Sequence, residues 1–312
     1  SITLNNSNTI GTLGSVTRGG ALSLADTTAG LTVTGPVTGG TITNGVTITT
    51  AGGPLAVNGN ISTSGANNIS LTGAGITAAA AVTVNGGAGT ISLDANGGAI
   101  NLNATSSLTT TNAGASAITI RDATTVALGN VTAASGTVVL GVGLDITGAV
   151  SQNGGAIIAA NLQLSGTSGG FTLTQPSNDF GTVAAQTDGG SVNLTDANSI
   201  IVGTVVTSGI DTGSTVNGGA VTINATSGTI TVNQAINTST GSGGGVSISG
   251  AVVVNAALTA GAGTITLNGS TGSSSDLDIN ADITSSLTIN LTAPRDILVG
   301  AKLETTGGAG TD

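Results

Sequence analysis

The densest group of ionisable side chains is Asp276-Leu277-Asp278-Ile279-Asn280-Ala281-Asp282. Alternate residues of a strand point to the same side, which places Asp276 and Asp278 on one face. Two carboxylates so placed could serve acid–base work on a glycosidic bond, or hold a cation. Such sites usually add a His, Lys or Arg. This chain has no His and no Cys, and its basic residues are Arg18, Arg121, Arg295 and Lys302. Ser/His/Asp and Cys/His nucleophile systems are thereby excluded. The patch reads as a solvated outer face. No catalytic, cofactor-binding or metal-ligating residue is assigned, and the chain is read as a non-enzyme.

Three weaker patterns point to other chemistry. Gly307-Gly308-Ala309-Gly310-Thr311-Asp312 fits the start of a calcium-binding nonapeptide repeat, but those sites need tandem copies. The matching Gly86-Gly87-Ala88-Gly89-Thr90 runs on into Ile91, so both are read as ordinary turns. The pairs Thr32/Thr34, Thr41/Thr43 and Thr47/Thr49 would form a flat ice-binding face if they stacked, yet they recur at no constant period. Sequons for glycosylation begin at Asn60, Asn68, Asn103, Asn130, Asn193, Asn224, Asn237 and Asn290. In a chain so rich in Asn, Ser and Thr, most arise by composition.

Whatever these side chains do, short strands must position them. Ala220-Val221-Thr222-Ile223-Asn224, Thr229-Ile230-Thr231-Val232-Asn233, Thr264-Ile265-Thr266-Leu267-Asn268 and Thr90-Ile91-Ser92-Leu93-Asp94 repeat one phrase. Apolar residues alternate with small polar ones, and Gly-rich corners separate the phrases. Period-two alternation predicts strands with one face inward, and helical periodicity is absent. A short strand that cannot bury its own apolar face must stack on its neighbours. The fold class expected is all-β: a right-handed parallel β-helix, or β-solenoid, of about 12–16 coils with roughly 18–26 residues each. One β-helix domain is expected over residues 1–312, as a rod on the order of 60–75 Å long.

Composition supports this. The 312 residues include 53 Gly and only two aromatic residues, Phe171 and Phe180, with no Met, Trp or Tyr. A core built without large side chains must be thin. Disorder is disfavoured, since 38% of residues are hydrophobic and β-branched residues abound. The net charge of −10 rules against nucleic acid and against anionic membrane surfaces. No apolar stretch is long enough to span a membrane, so no membrane insertion is expected. No targeting segment is visible. Ser1 opens directly on a strand phrase and Asp312 closes a turn, so both ends read as cuts through a repeat array.

A longer repeat overlies the short one. Asn8-Thr9-Ile10-Gly11 leads to Leu22-Ser23-Leu24-Ala25-Asp26, and Asn178-Asp179-Phe180-Gly181 leads to Val192-Asn193-Leu194-Thr195-Asp196. A partial copy ends at Arg121-Asp122. The closing Asp residues are expected to cap turn N–H groups.

Leu291-Thr292-Ala293-Pro294-Arg295-Asp296-Ile297-Leu298-Val299 resembles a recurring turn of filamentous-haemagglutinin-like exoproteins, which are bacterial surface adhesins. Gly228–Ile236 and the block at 178–198 are similar in style. The resemblance implies a parallel β-helix, export across an outer membrane through a partner β-barrel, and a role in adhesion or biofilm. The function expected is a secreted or cell-surface structural and adhesive repeat protein. It would build a rod or fibre by coil stacking, with itself as partner head-to-tail, or with neighbouring cell-surface glycans. The runner-up is a carbohydrate-active β-helix enzyme using Asp276 and Asp278, and ice binding is a minor alternative.

Overall fold

The structure is a computed structural model that describes residues 1–27, 29–39, 45–213, 215–270 and 276–307. Thr41 and Thr43, and the closing residues of the calcium-like motif, Gly308 to Asp312, lie outside the described residues. The described residues hold strands and no helix. The chain divides into two compact units, Ser1–Ala160 and Asn161–Asp312. Each is a parallel β-solenoid, and together they comprise about 12 turns.

In Ser1–Ala160 the first four turns contribute three short strands each, and from Ile91 on the first two rows run together as Ile91–Leu102 and Ile118–Leu128. Ile2–Asn8, Leu22–Asp26, Val46–Thr50 and Ile69–Thr72 belong to the first row. Thr12–Leu13, Leu31–Val33, Leu55–Val57 and Ile76–Ala78 form the second, and Val16–Arg18, Val37–Gly39, Ile61–Ser62 and Thr83–Asn85 the third. All pair in parallel with the turn before and after. Leu22, Val46, Ile69, Ile91, Ile118 and Val138 therefore stand one above the next. Leu31, Leu55, Ile76, Ile100, Val126 and Val150 do the same on the second row. These residues are at most 2% exposed. Such strictly stacked, like-on-like packing explains why β-branched and Leu side chains suffice for the core. Each one fills the gap left by the pleat of its neighbour, and no wide interior remains to be filled by aromatic rings.

Asn161–Asp312 follows the same plan. Phe171, Val192, Val221, Val246, Ile265 and Ile289 make one ladder. Ala185, Ile210, Ile236, Leu258, Ile283 and Leu303 make another. Both aromatic residues, Phe171 and Phe180, are buried in this unit.

The turns are less uniform than the sequence suggests. Val246 sits over Ile265, a step of 19 residues, whereas Val192 sits over Val221, a step of 29. The longest turn carries its surplus in loops. Thr204 and Ser208 close a small antiparallel bridge within one of them. Buried Gln163 holds that loop: its Oε1 accepts the backbone N–H groups of Val206 at 2.9 Å and Thr207 at 3.0 Å. Asp188 holds a second loop by accepting the N–H of Thr215 at 2.8 Å.

Corners turn on glycine where coils nearly touch. A Cβ on Gly98 would lie on the backbone of Ala74 and Gly75, one coil away. Gly209, at φ +72°, combines a left-handed backbone with the same crowding against Ala235.

A second corner device went unread in the sequence. Buried Thr and Ser hydroxyls at the ends of strands donate to glycine carbonyls: Thr110 to Gly89 at 2.6 Å, Thr187 to Gly190 at 2.5 Å, Thr212 to Gly219 at 2.6 Å and Ser285 to Gly263 at 2.8 Å. Thr238 donates to Gly244 in the same way. Reading Thr as a purely outward residue misses these. The signal is the triplet itself, as in Ile210-Asp211-Thr212 and Ile236-Asn237-Thr238, where alternation sends the third residue inward.

Candidate functional site

The acidic patch is split among separate tasks. Asp276 and Asp278 flank buried Leu277 and are both half-buried, as expected for two outward positions. Asp276, however, is engaged by Arg295 of the next turn, with Oδ1 at 2.7 Å from Nη2 and 3.1 Å from Nε. Asp278 stands in register between Val253 and Leu298, with no basic residue opposite it. Asp282 accepts the backbone N–H of Lys302 at 3.0 Å, which ties one corner to the next. Among the described residues no group of three or more acidic side chains is placed to hold a metal ion.

The longer repeat is a pair of built corners. Asp26 is buried and accepts the N–H of Ile10 at 2.7 Å. Asp196 is buried and accepts the N–H groups of Phe180 at 2.7 Å and Asn198 at 2.8 Å. In each case the Asn that opens the repeat completes the corner. Asn8 Nδ2 donates to the Ala25 carbonyl and Asn178 Nδ2 to that of Thr195. The Asp carboxylates cap turn N–H groups as the sequence predicts, at these two positions. The partial copy departs from the pattern. Asp122 adopts φ +49° within Ile118–Leu128, and its own N–H is accepted by Asp145. Burial raises the pKa of Asp196 above its ordinary value, partly offset by the N–H donors of Phe180 and Asn198. Burial raises that of Asp145 as well, against the opposing N–H groups of Val142 and Asp122.

One region of Ser1–Ala160 gathers charge that the sequence did not bring together. Asp94 lies opposite Arg121 in register, and Asp94 Oδ2 stands 2.5 Å from Arg121 Nη2 and 2.9 Å from Nε. The hydrogen bond to Asp94 raises the Arg121 pKa further above its ordinary value. The neighbouring loop places Val142 N–H on Asp145 Oδ1 at 2.7 Å. Beside the ion pair is an open groove of about 450 Å³, lined by Ser70, Thr72, Ser92, Thr119 and Val142 among others. Aligning the phrases Ile91-Ser92-Leu93-Asp94 and Ile118-Thr119-Ile120-Arg121 is enough to find the pair. Arg18, by contrast, is buried in its corner, donates to the Gly20 carbonyl at 2.5 Å, and has its pKa lowered by burial.

Thr32 stacks between Thr12 and Ala56 on the second row, whereas Thr47 stacks between Ser23 and Ser70 on the first. These Thr pairs do not share a face. Gly86–Thr90 is a turn closed by Gly89 N–H on the Gly86 carbonyl at 2.8 Å. Of the sequon residues, Asn60, Asn68, Asn103 and Asn290 are exposed, and Asn130, Asn193, Asn224 and Asn237 are half-buried. Asn60 and Asn68 already accept the backbone N–H groups of Thr83 and Thr90 from the next turn. Among the described residues no helix is long and apolar enough to cross a membrane. Comparison with protein families, with curated proteins and with solved structures finds no match.

Proposed function

We propose that this chain is a non-catalytic structural segment of an extracellular, cell-surface fibre or adhesin, whose outermost coils are covered by further coils of the same kind. Those coils come from adjoining repeats or from another copy stacked head-to-tail. The observation that carries this reading is the exposure of ladder residues on the outer turns. Ile297 is 40% exposed, Val299 46% and Leu303 39%, while Leu277, Ile279 and Ile283 directly beneath them are fully buried. Ile2 and Leu4 are 37% and 40% exposed above Leu22 and Leu24, which are buried. Each outer turn thus offers an apolar ladder and a free strand edge, and a coil in the same register satisfies both. A head-to-tail contact of this kind does not close on itself and extends into a filament.

The chemistry of the side chains supports a scaffold over an enzyme. Asp276 is neutralised by Arg295, and Asp282 serves a backbone corner. The adhesive role and the surface location extend the resemblance in the turn at Leu291–Val299. Sedimentation of the 312-residue chain over a rising concentration series tests the stacking. Association is expected, and Val299→Lys with Leu303→Lys is expected to abolish it. A monomer at every concentration would remove the support for this reading.

A further inference from the structure

We infer that the outward face of the first strand row in Ser1–Ala160 binds a neutral linear oligosaccharide, in the groove over Ser70, Ser92 and Thr119. The inference is independent of coil stacking, which uses the outer turns and not this lateral face.

Register makes the face. Thr3, Ser23, Thr47, Ser70, Ser92 and Thr119 occupy one outward position in six successive turns. Unequal turn lengths hide this file in the sequence. Parallel strands stand about 4.8 Å apart, so the hydroxyls form a straight, evenly spaced line. Two residues further along each strand a second file runs beside it, through Thr49, Thr72, Asp94 and Arg121. The groove of about 450 Å³ lies where the two files meet the loop that carries Val142.

The lining selects the ligand by its chemistry. Ser and Thr hydroxyls both donate and accept, which matches the hydroxyls of a sugar. A carboxylate beside a guanidinium adds charge-assisted hydrogen bonds to neighbouring sugar hydroxyls. Val142 is 48% exposed at the rim and offers an apolar surface to the C–H side of a pyranose ring. From Ser70 to Thr119 the groove crosses two strand spacings, about 10 Å, which suits a short stretch of linear chain. The local charge argues for a neutral ligand. Asp94, Asp122 and Asp145 all act on the single cation Arg121, so an anionic glycan meets net repulsion.

The test is calorimetric titration of the full chain with cellohexaose, laminarihexaose and mannohexaose, and with an oligogalacturonate and a heparin hexasaccharide as anionic probes. Binding of at least one neutral probe is expected, with little dependence on salt. Ser92→Val with Thr119→Val should weaken it about tenfold or more. Asp94→Ala should weaken it too, and Thr222→Val on the other unit should leave it unchanged. Thermal unfolding reports whether each variant is folded, and Ser70→Ala replaces the double variant if that one is not. The inference is overturned if no neutral probe binds, if the groove variants bind as tightly as the parent, or if the anionic probes bind better.

Discussion

Asp196 accepts the backbone N–H of Phe180 from the preceding turn at 2.7 Å, deep enough that Asp196 has no exposed surface. The same bond joins Asp26 to Ile10 in the other unit. Removing a buried acceptor leaves its donor desolvated and unpaired, at a cost of about 1–3 kcal/mol. Asp196→Ala is therefore expected to lower the unfolding free energy by that order, and Asn178→Ala to act in the same direction. Asp278→Ala, at an outward strand position between Val253 and Leu298, should stay within about 0.5 kcal/mol, as surface substitutions do. Urea unfolding of the three variants checks the ranking.

Burial also gives Asp196 and Asp145 a pH signature. Their folded-state pKa values lie above the unfolded carboxylate value of about 4. The folded form then holds the proton more readily than the unfolded chain. The stabilisation from protonation is complete below about pH 4 and is lost as pH rises through the folded values. The stability difference between the parent and Asp196→Asn should accordingly shift in the parent's favour on acidification from neutral pH. Melting temperatures of both across the acidic range measure it, and parallel profiles would contradict the assignment.

The hydroxyl of Thr212 is buried and donates to the Gly219 carbonyl at 2.6 Å. Thr212→Val keeps the shape and removes the donor, with an expected loss of about 1 kcal/mol or somewhat more. Thr222→Val, on an outward strand position, should be close to neutral or slightly stabilising. Thermal unfolding of the two variants separates an inward threonine from an outward one.

Ile248 stands in the ladder between Ile223 and Leu267 and has no exposed surface. Ile248→Ala opens a cavity between packed turns and should cost about 2–5 kcal/mol. The exposed pair of Arg121 with Asp94 should contribute far less. Arg121→Gln is expected to change stability by under about 1 kcal/mol, and less at high salt.

The all-β, parallel stacked fold was legible because it rests on local pattern. Alternation in phrases such as Val221-Thr222-Ile223 sets the inward face, and glycine marks each corner. Partners in neighbouring turns were less legible, because they depend on turn length. The step from Val192 to Val221 is 29 residues, and nothing in the phrases says how much of that is loop. Asp94 over Arg121 becomes legible only when their two phrases are aligned as neighbouring turns. Asp122 closes a strand phrase, which alone predicts a cap. The true corners pair Asp26 with Asn8 and Asp196 with Asn178, eighteen residues earlier in both cases. The residue at that distance before Asp122 is Ala104, which has no carboxamide to complete the corner. Gln163 gave no signal, since its partners Val206 and Thr207 lie in a loop of no regular pattern.

The central claim is that a further coil seats in register on the exposed outer turns. The chain contains no Cys, so a single introduced cysteine reports one contact. If Ile2 continues the ladder above Leu303, Thr3 falls beside Glu304, because Glu304 directly follows Leu303. Adjacent parallel strands bring such Cα atoms about 5 Å apart, within the span of a disulfide. A mixture of Thr3→Cys and Glu304→Cys proteins under mild oxidation, resolved on a non-reducing gel, is predicted to give the mixed disulfide well above either self-pair. No enrichment of the mixed species over the self-pairs would contradict in-register stacking of copies.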